Sequence, residues 1–239
     1  MALDSLLPFL KTAPRPKEEP VSEKEVCAAE KEAVLSYRIR AAVYRKIIER
    51  YAEAVNQGEE KTVPQLKELV RPGDESVVRL RDAVVESTLG AGKQYVFERD
   101  FPIVVQAVFL RVKELHLVHA DLPVSYWLSP KEILEIGAAD PFDRALLYCS
   151  LLVALGCRNA KIRVVELEGG LRHPLVLFSF GERGFVSDVV QDESALQRSG
   201  SVEELVGKYL FNNKRVSRGL FEFNDVDYAE FDEKGGQEA

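Results

Sequence analysis

The sequence predicts an α+β protein, in which a largely helical N-terminal region precedes a domain built from a buried helix packed on an antiparallel sheet. Two observations carry this prediction. Helix-capping residues and apolar spacings of three and four recur along residues 22–92, as in amphipathic helices. After residue 160, apolar runs alternate with glycine-containing turns, as in antiparallel hairpins. A chain of 239 residues is long enough to bury one such core.

Composition narrows the classes of protein that fit. With 46% hydrophobic and 30% charged residues, the chain has the make-up of an ordinary soluble globular protein. The net charge of −7 disfavours nucleic acid as a partner. We expect no membrane association, because no apolar run reaches the roughly 18 residues of a membrane span. Three cysteines form an odd set without metal spacing, which favours a reducing, cytoplasmic setting.

The first element is a leader over residues 1–21. Its prolines and mixed charges suit neither a helix nor a strand interior. We interpret it as disordered or, alternatively, as a short linear motif that docks on a partner. The motif would consist of the apolar residues Leu6, Leu7, Phe9 and Leu10.

A long helix is predicted next, beginning at a capping box formed by Ser22 and Glu25. Its apolar residues follow heptad spacing, with a tyrosine at every second position. This stripe consists of Val34, Tyr37, Ala41, Tyr44, Ile48, Tyr51 and Val55. The simplest interpretation is that the stripe packs on later helices of the same chain. The alternative is an adaptor or oligomer contact through Tyr37, Tyr44 and Tyr51, because tyrosine suits a partly wet interface.

Further helices complete the helical region, which we place at residues 22–92. A short helix begins at Thr62-Val63-Pro64, and Asp74 caps another that ends at Gly90. A helix from Pro102 onwards then opens the second domain, residues 93–224.

A histidine pair near residue 119 raises the question of a metal. His116 and His119 lie three residues apart, with Asp121 close by. Two imidazoles without a defined third ligand are a weak metal signal, and we expect no metal site. The chain also contains no phosphate-binding glycine loop, and we expect no cofactor.

Most of the candidate catalytic residues lie between residues 125 and 190. Ser129 starts a short helix, and Asp140-Pro141 starts a strongly apolar one that stops at Gly156. Asp140 and its neighbour Asp143 are most simply helix-capping acids. Strands are predicted over 160–167, 172–180 and 185–190, with His173 on the second and Asp188 on the third.

The end of the chain completes the predicted domain. Ser201 is expected to cap a helix that runs through Phe211. A last strand follows over residues 215–223. The remaining residues, 225–239, are acidic and contain glycine, so we interpret them as a frayed tail.

These motifs resemble the transglutaminase-like superfamily, which shares the plan of papain-type cysteine proteases. Trp127 to Leu134 matches the pattern W-x-S/T-P-x-E-x-L of its bacterial and archaeal branches. The resemblance implies a nucleophilic cysteine at the start of the buried helix, His173 as general base and Asp188 as the residue that orients it. Here, however, the family's Gly-Asp-Cys has become Ala139-Asp140-Pro141, and proline has no nucleophile.

The leading prediction is therefore a catalytically inactive transglutaminase-like protein that binds a protein or peptide. His173 and Asp188 would then form a vestigial pair. The first alternative is a cysteine-type hydrolase or acyl transferase with a non-standard nucleophile. Its candidates are Cys149 within the buried helix, Cys157 at its far end and Cys27 in the helical region. The second alternative is a helical adaptor that works through the tyrosine stripe.

Overall fold

The computed structural model describes residues 62–118 and 127–231 continuously, together with separate positions between residues 31 and 52. The chain forms two compact units, Met1–Arg50 and Tyr51–Ala239. In the first unit the described positions are all helical, in agreement with the heptad spacing. The leader and its motif, Cys27, Tyr51, His119 and Asp121 lie outside the described residues.

The second unit contains helices, most of which begin where the sequence places caps. They are α1 (Val63–Lys67), α2 (Glu75–Leu89), α3 (Phe97–Lys113), α4 (Pro130–Ile136), α5 (Pro141–Ala154) and α6 (Val202–Gly207). Asp74 accepts the backbone N–H of Ser76 at the start of α2, and Asp140 accepts that of Asp143 at the start of α5. A capping box of Ser129 and Glu132 opens α4. These local bonds satisfy backbone donors that a helix start leaves unpaired.

The strands form an antiparallel sheet and one small parallel pair. They are β1 (His116–Leu117), β2 (Ala138–Ala139), β3 (Lys161–Leu167), β4 (Arg172–Phe180), β5 (Arg183–Ser187), β6 (Arg198–Gly200), β7 (Leu210–Phe211), β8 (Lys214–Phe223) and β9 (Tyr228–Glu230). The order in the sheet is β6-β5-β4-β3-β8-β7, and β9 also pairs with β8. Strands β1 and β2 pair in parallel outside it. The α+β class with an antiparallel sheet is thus confirmed.

Each face of the sheet has its own apolar core. On one face lie α5, α2 and α3, in contact with alternate sheet residues; we call this the helix-side core. Its sheet members are Ile162, Val176, Phe178, Phe185 and Phe223. The other face is covered by α6 and forms the α6-side core. Its members are Val165, Leu167, Leu175, Leu177, Val186, Val206 and Tyr209. Side chains alternate between the faces along a strand, so this division fixes where each functional residue points.

Three elements differ from the sequence prediction. Helix α3 begins at Phe97 instead of Pro102, because Asp100 accepts the backbone N–H of Val96 and thereby caps the start. Helix α6 ends at Gly207, well before Phe211. The predicted tail begins with strand β9, which Phe231 extends by donating its backbone N–H to Leu220.

Both ends of α6 differ from the prediction. The Ser201 side chain makes no capping bond, so the predicted capping box does not form. Asn212 and Asn213 both have positive φ, 50° and 63°, and connect β7 to β8 as a tight hairpin. Asparagine tolerates this backbone region, and the hairpin draws the preceding residues out of the helix.

No described helix is both long and apolar enough to cross a membrane.

Candidate functional site

His173 and Asp188 are in direct contact in the α6-side core. Nε2 of His173 lies 3.1 Å from Oδ2 of Asp188. His173 is 2% exposed and Asp188 is fully buried. The pair joins two neighbouring strands, because β4 begins one residue before His173 and β5 ends one residue before Asp188. The two residues singled out from the sequence therefore share one buried hydrogen bond.

Tyr209 is a third member of this cluster, and no motif identified it. Its hydroxyl lies 3.1 Å from Nε2 of His173 and donates a hydrogen bond to Oδ2 of Asp188. The ring of Phe211 stacks on the imidazole of His173, with the two ring centroids 4.1 Å apart. The two aromatic residues after α6, Tyr209 and Phe211, are separated by one position and are the signal that could have indicated a packing role here.

Hydrogen bonding keeps the Asp188 carboxylate ionised despite its burial. Burial alone would raise the pKa of Asp188, but bonds from His173 and Tyr209 and the backbone N–H of Val190 hold it below the usual value. The same surroundings raise the pKa of Tyr209, because burial and the adjacent Asp188 charge both disfavour a phenolate. The cluster therefore holds a carboxylate as hydrogen-bond acceptor and a neutral phenol as donor.

A second buried carboxylate, that of Asp192, holds the backbone of Asp188 in place. Asp192 accepts the backbone N–H of Asp188 at 2.8 Å and pairs with the Arg198 guanidinium, which lies over the Tyr209 ring at 4.8 Å. From the other side, Arg144 on α5 donates to the carbonyl of Val189 at 3.2 Å. The segment after β5 is thus held by charged side chains on both sides.

Helix α5, which Pro141 starts, packs on the face of the sheet opposite to the one towards which the His173 ring points. His173 pairs with Val165 across the β3–β4 ladder and alternates with Leu175, so its side chain points towards α6. Helix α5 packs against Val176 and Phe178 on the other face. The hydrogen-bond partners of His173 are Asp188 and Tyr209, and the structure does not place Pro141 among its contacts.

The first turn of α5 is built from acids and aromatic rings. Pro141 is the first helical residue, and the Trp127 ring meets Phe142 edge-on at 5.1 Å. Oδ1 of Asp143 accepts the backbone N–H of Leu128 at 3.0 Å, which ties the preceding segment to the helix. Burial raises the pKa of Asp143 to about 7, and the like charge of Asp140 adds to the shift.

The buried acid Asp143 gives a testable pH dependence. Because its pKa is raised in the folded protein, ionisation costs stability as pH rises from about 4 to about 7. Asp143→Asn removes that charge and can still accept from Leu128. We expect it to raise the free energy of unfolding by roughly 2 kcal/mol at pH 8 and by little at pH 4. Urea unfolding at several pH values measures the difference, and Glu135→Gln on the exposed face of α4 is the control.

A lower stability of Asp143→Asn at pH 8 would contradict this account. It would mean that the helix N-terminus and the Leu128 N–H favour the carboxylate more than burial disfavours it.

Neither described cysteine has the properties of a nucleophile. Cys149 is fully buried in the helix-side core, and burial raises its pKa far above the usual value. Cys157 is 1% exposed, and burial raises its pKa to about 12. Its Sγ lies 3.4 Å from Oδ1 of Asn159 and 3.7 Å from the carbonyl of Ser179. Both thiols are free, and both lie across the sheet from His173.

The other candidate residues lie apart from this cluster. His116 is an exposed residue of β1, and its neighbours His119 and Asp121 lie outside the described residues. Within the described ranges, no group of three or more His, Cys, Asp or Glu side chains could hold a metal. An open groove of about 510 Å³ lies beside α1 and is lined partly by Val63, Lys67 and Arg71, away from His173.

The two described tyrosines of the heptad stripe, Tyr37 and Tyr44, are exposed. Tyr37 is 70% exposed and Tyr44 is 62% exposed. Val34, in the same stripe, is 51% exposed. Large apolar side chains in such a row are typical of an interaction surface.

These observations define an α+β protein with a buried His-Asp-Tyr cluster on one face of its sheet and a proline-started helix on the other. No family model matches the chain, and no curated protein matches it significantly. Among solved structures, LapG of Legionella pneumophila in its EGTA-treated form shows 13% identity and a TM-score of 0.44, covering 79% of this chain and 86% of that chain. The calcium-bound form shows 13% identity and a TM-score of 0.44, covering 78% and 87%. At this distance, no residue role is transferred.

Proposed function

We propose that this chain is a catalytically inactive transglutaminase-like protein that acts by binding a protein or peptide. The observation that carries the proposal is the burial of the cluster of His173, Asp188 and Tyr209, in which His173 is 2% exposed. His173 uses Nε2 for Asp188 and Tyr209, and its ring is stacked on Phe211. A general base must reach the proton that it abstracts. Here the imidazole instead ties α6 and β7 to the centre of the sheet.

The helix start supports the same proposal. In a cysteine enzyme of this plan, the thiolate at the helix N-terminus is favoured by the helix dipole and a neighbouring imidazole. Pro141 has no dissociable proton, and it lies between the acids Asp140 and Asp143, whose pKa values burial raises. Proline does suit the first helical position, where an N–H would have no intrahelical partner. Pro141 therefore stabilises the start of the helix and cannot act as a nucleophile.

The binding role is supported by the first unit, where exposed apolar side chains recur along one helix. A cytoplasmic setting belongs to the proposal as well, and the two free thiols Cys149 and Cys157 support it. The adaptor alternative shares this binding surface and differs only in giving the sheet domain no ligand of its own.

Thiol reactivity tests the inactive assignment directly. In a Cys27→Ser background, we expect iodoacetamide at neutral pH to label Cys149 and Cys157 more than about 100-fold slower than free cysteine, because burial suppresses the thiolate. Mass spectrometry of the labelled sites gives the rates, and labelling in denaturant is the control. A thiol that reacts faster than free cysteine and slows in His173→Gln would restore the cysteine-enzyme alternative.

The same assay examines the helix start. Pro141→Cys places a thiol at a half-buried helix start, and we expect it to label no faster than an ordinary exposed thiol. Its rate should be equal in the presence and absence of His173→Gln, because the imidazole faces the other core. If His173→Gln slowed this labelling about tenfold or more, the imidazole would be shown to activate a thiol at position 141. The proposal that His173 has only a structural role would then fail.

A further inference from the structure

The helix of the first unit presents an apolar stripe flanked by arginines. We assign Val34 as position a of the heptad, which makes Tyr37 and Tyr44 d positions. Arg38 and Arg45 are then both e positions, directly beside the stripe, and both are exposed. Arg45 also contacts Glu49 one turn further along at 3.8 Å. Residues at e and g positions select the partner of a coiled helix.

These arginines oppose pairing of the helix with a second copy. In a parallel pair, the g position, Arg40 in the sequence, meets Arg45 of the other copy. In an antiparallel pair that sets Ala41 against Tyr44, Arg38 meets Arg45 instead. Both arrangements bring like charges together along a shared apolar seam, which is how natural helices disfavour self-association.

The same arrangement favours a partner of opposite flanking charge. Acidic e and g residues on another helix would meet Arg38 and Arg45, while aliphatic seam residues covered Tyr37 and Tyr44. Tyrosine contributes a large contact area with few rotatable bonds, and its hydroxyl can remain at the wet edge. Charge complementarity then determines both the association rate and the choice of partner.

We propose that the helical face of the first unit that carries Tyr37 and Tyr44 docks an amphipathic helix of another protein, one with an aliphatic seam and acidic flanks. The inference deepens the binding role proposed above and does not depend on the state of His173, since Tyr37 and Tyr44 belong to the other unit of the chain. It specifies the partner by chemistry: helical, apolar along one stripe, and rich in Glu or Asp beside that stripe.

Two synthetic helices test the proposal with the full-length protein. Both are about three heptads long with Ile and Leu at a and d; one carries Glu at e and g, the other Lys. We expect the Glu helix to bind at least about tenfold tighter by fluorescence anisotropy, and its binding to weaken as salt is raised. The double variant Arg38→Glu, Arg45→Glu should reverse the preference, and Tyr44→Asp should abolish binding of both helices.

A control variant distinguishes an effect of Arg38 and Arg45 from an effect of net charge. The double variant Arg79→Glu, Lys131→Glu makes the same charge change at exposed positions of α2 and α4, and should leave the affinities unchanged. Equal affinities for the two helices, binding of neither, or an equal loss in the control variant would each overturn the proposal. A stable dimer of the chain in light scattering would overturn it too, in favour of a second copy as the occupant.

Discussion

Replacing Asp188 with alanine should lower the free energy of unfolding by about 3 kcal/mol. The carboxylate is fully buried and accepts hydrogen bonds from His173, from Tyr209 and from the backbone N–H of Val190. Its removal takes this acceptor from the buried His173 and Tyr209 groups and from the part-buried N–H of Val190, and a donor that finds no other partner keeps its desolvation cost. Urea unfolding followed by circular dichroism at neutral pH measures the loss.

Single and double variants measure how much of this free energy of unfolding depends on the bond between Tyr209 and Asp188. Tyr209→Phe removes one hydroxyl and keeps the ring that lies against Arg198, so we expect a cost of about 1 kcal/mol. Because Tyr209 and Asp188 contact each other directly, the double variant should cost less than the sum of the two single variants. Strict additivity would show that the hydroxyl contributes nothing through Asp188.

The pH dependence of the Asp188 contribution has a defined sign. The pKa of this carboxyl is held below its usual value in the fold, so ionised Asp188 stabilises the protein above about pH 4. This contribution is lost as pH falls further. The difference between the wild type and Asp188→Asn should accordingly be largest near neutral pH and shrink in acid. A difference that grew in acid would contradict the assignment of Asp188 as an ionised acceptor.

Much of this site was predictable from the sequence, because its parts are local. Asp74, Ser129 and Asp140 cap helices through bonds that span two or three residues, so their chemistry is visible in short windows. Strand β4 has the predicted bounds, since it lies between two glycine turns. The order of a His strand and an Asp strand in the resembled family anticipated the contact of His173 with Asp188.

The rest depended on contacts between distant residues. Tyr209 lies 36 residues from His173 along the chain, and a helical pattern through Phe211 concealed its role. Both faces of the sheet are covered by apolar cores, so alternation alone could not tell which face His173 shares with α6. The Asn212-Asn213 turn was a missed signal, because two residues of this type favour positive φ in a tight hairpin.

A second large effect is expected in the first turns of α3. Phe101→Ala should lower the free energy of unfolding by about 4 kcal/mol. Phe101 is fully buried, and its ring lies 4.8 Å from Phe97, 5.2 Å from Phe180 and 6.0 Å from Phe178. These contacts join the first turns of α3 to β4. They also account for a helix that continues through Pro102, whose ring removes one backbone hydrogen bond.

A matched substitution on the same helix separates packing from helix propensity. Ile103 follows Phe101 by two residues and is 61% exposed, so Ile103→Ala should change the free energy of unfolding by less than about 0.5 kcal/mol. Denaturant unfolding of both variants provides the comparison. If the two losses were equal, the aromatic contacts would not hold α3 on the sheet. A large loss for Phe101→Ala alone would show that the aromatic contacts hold the start of α3 on the sheet.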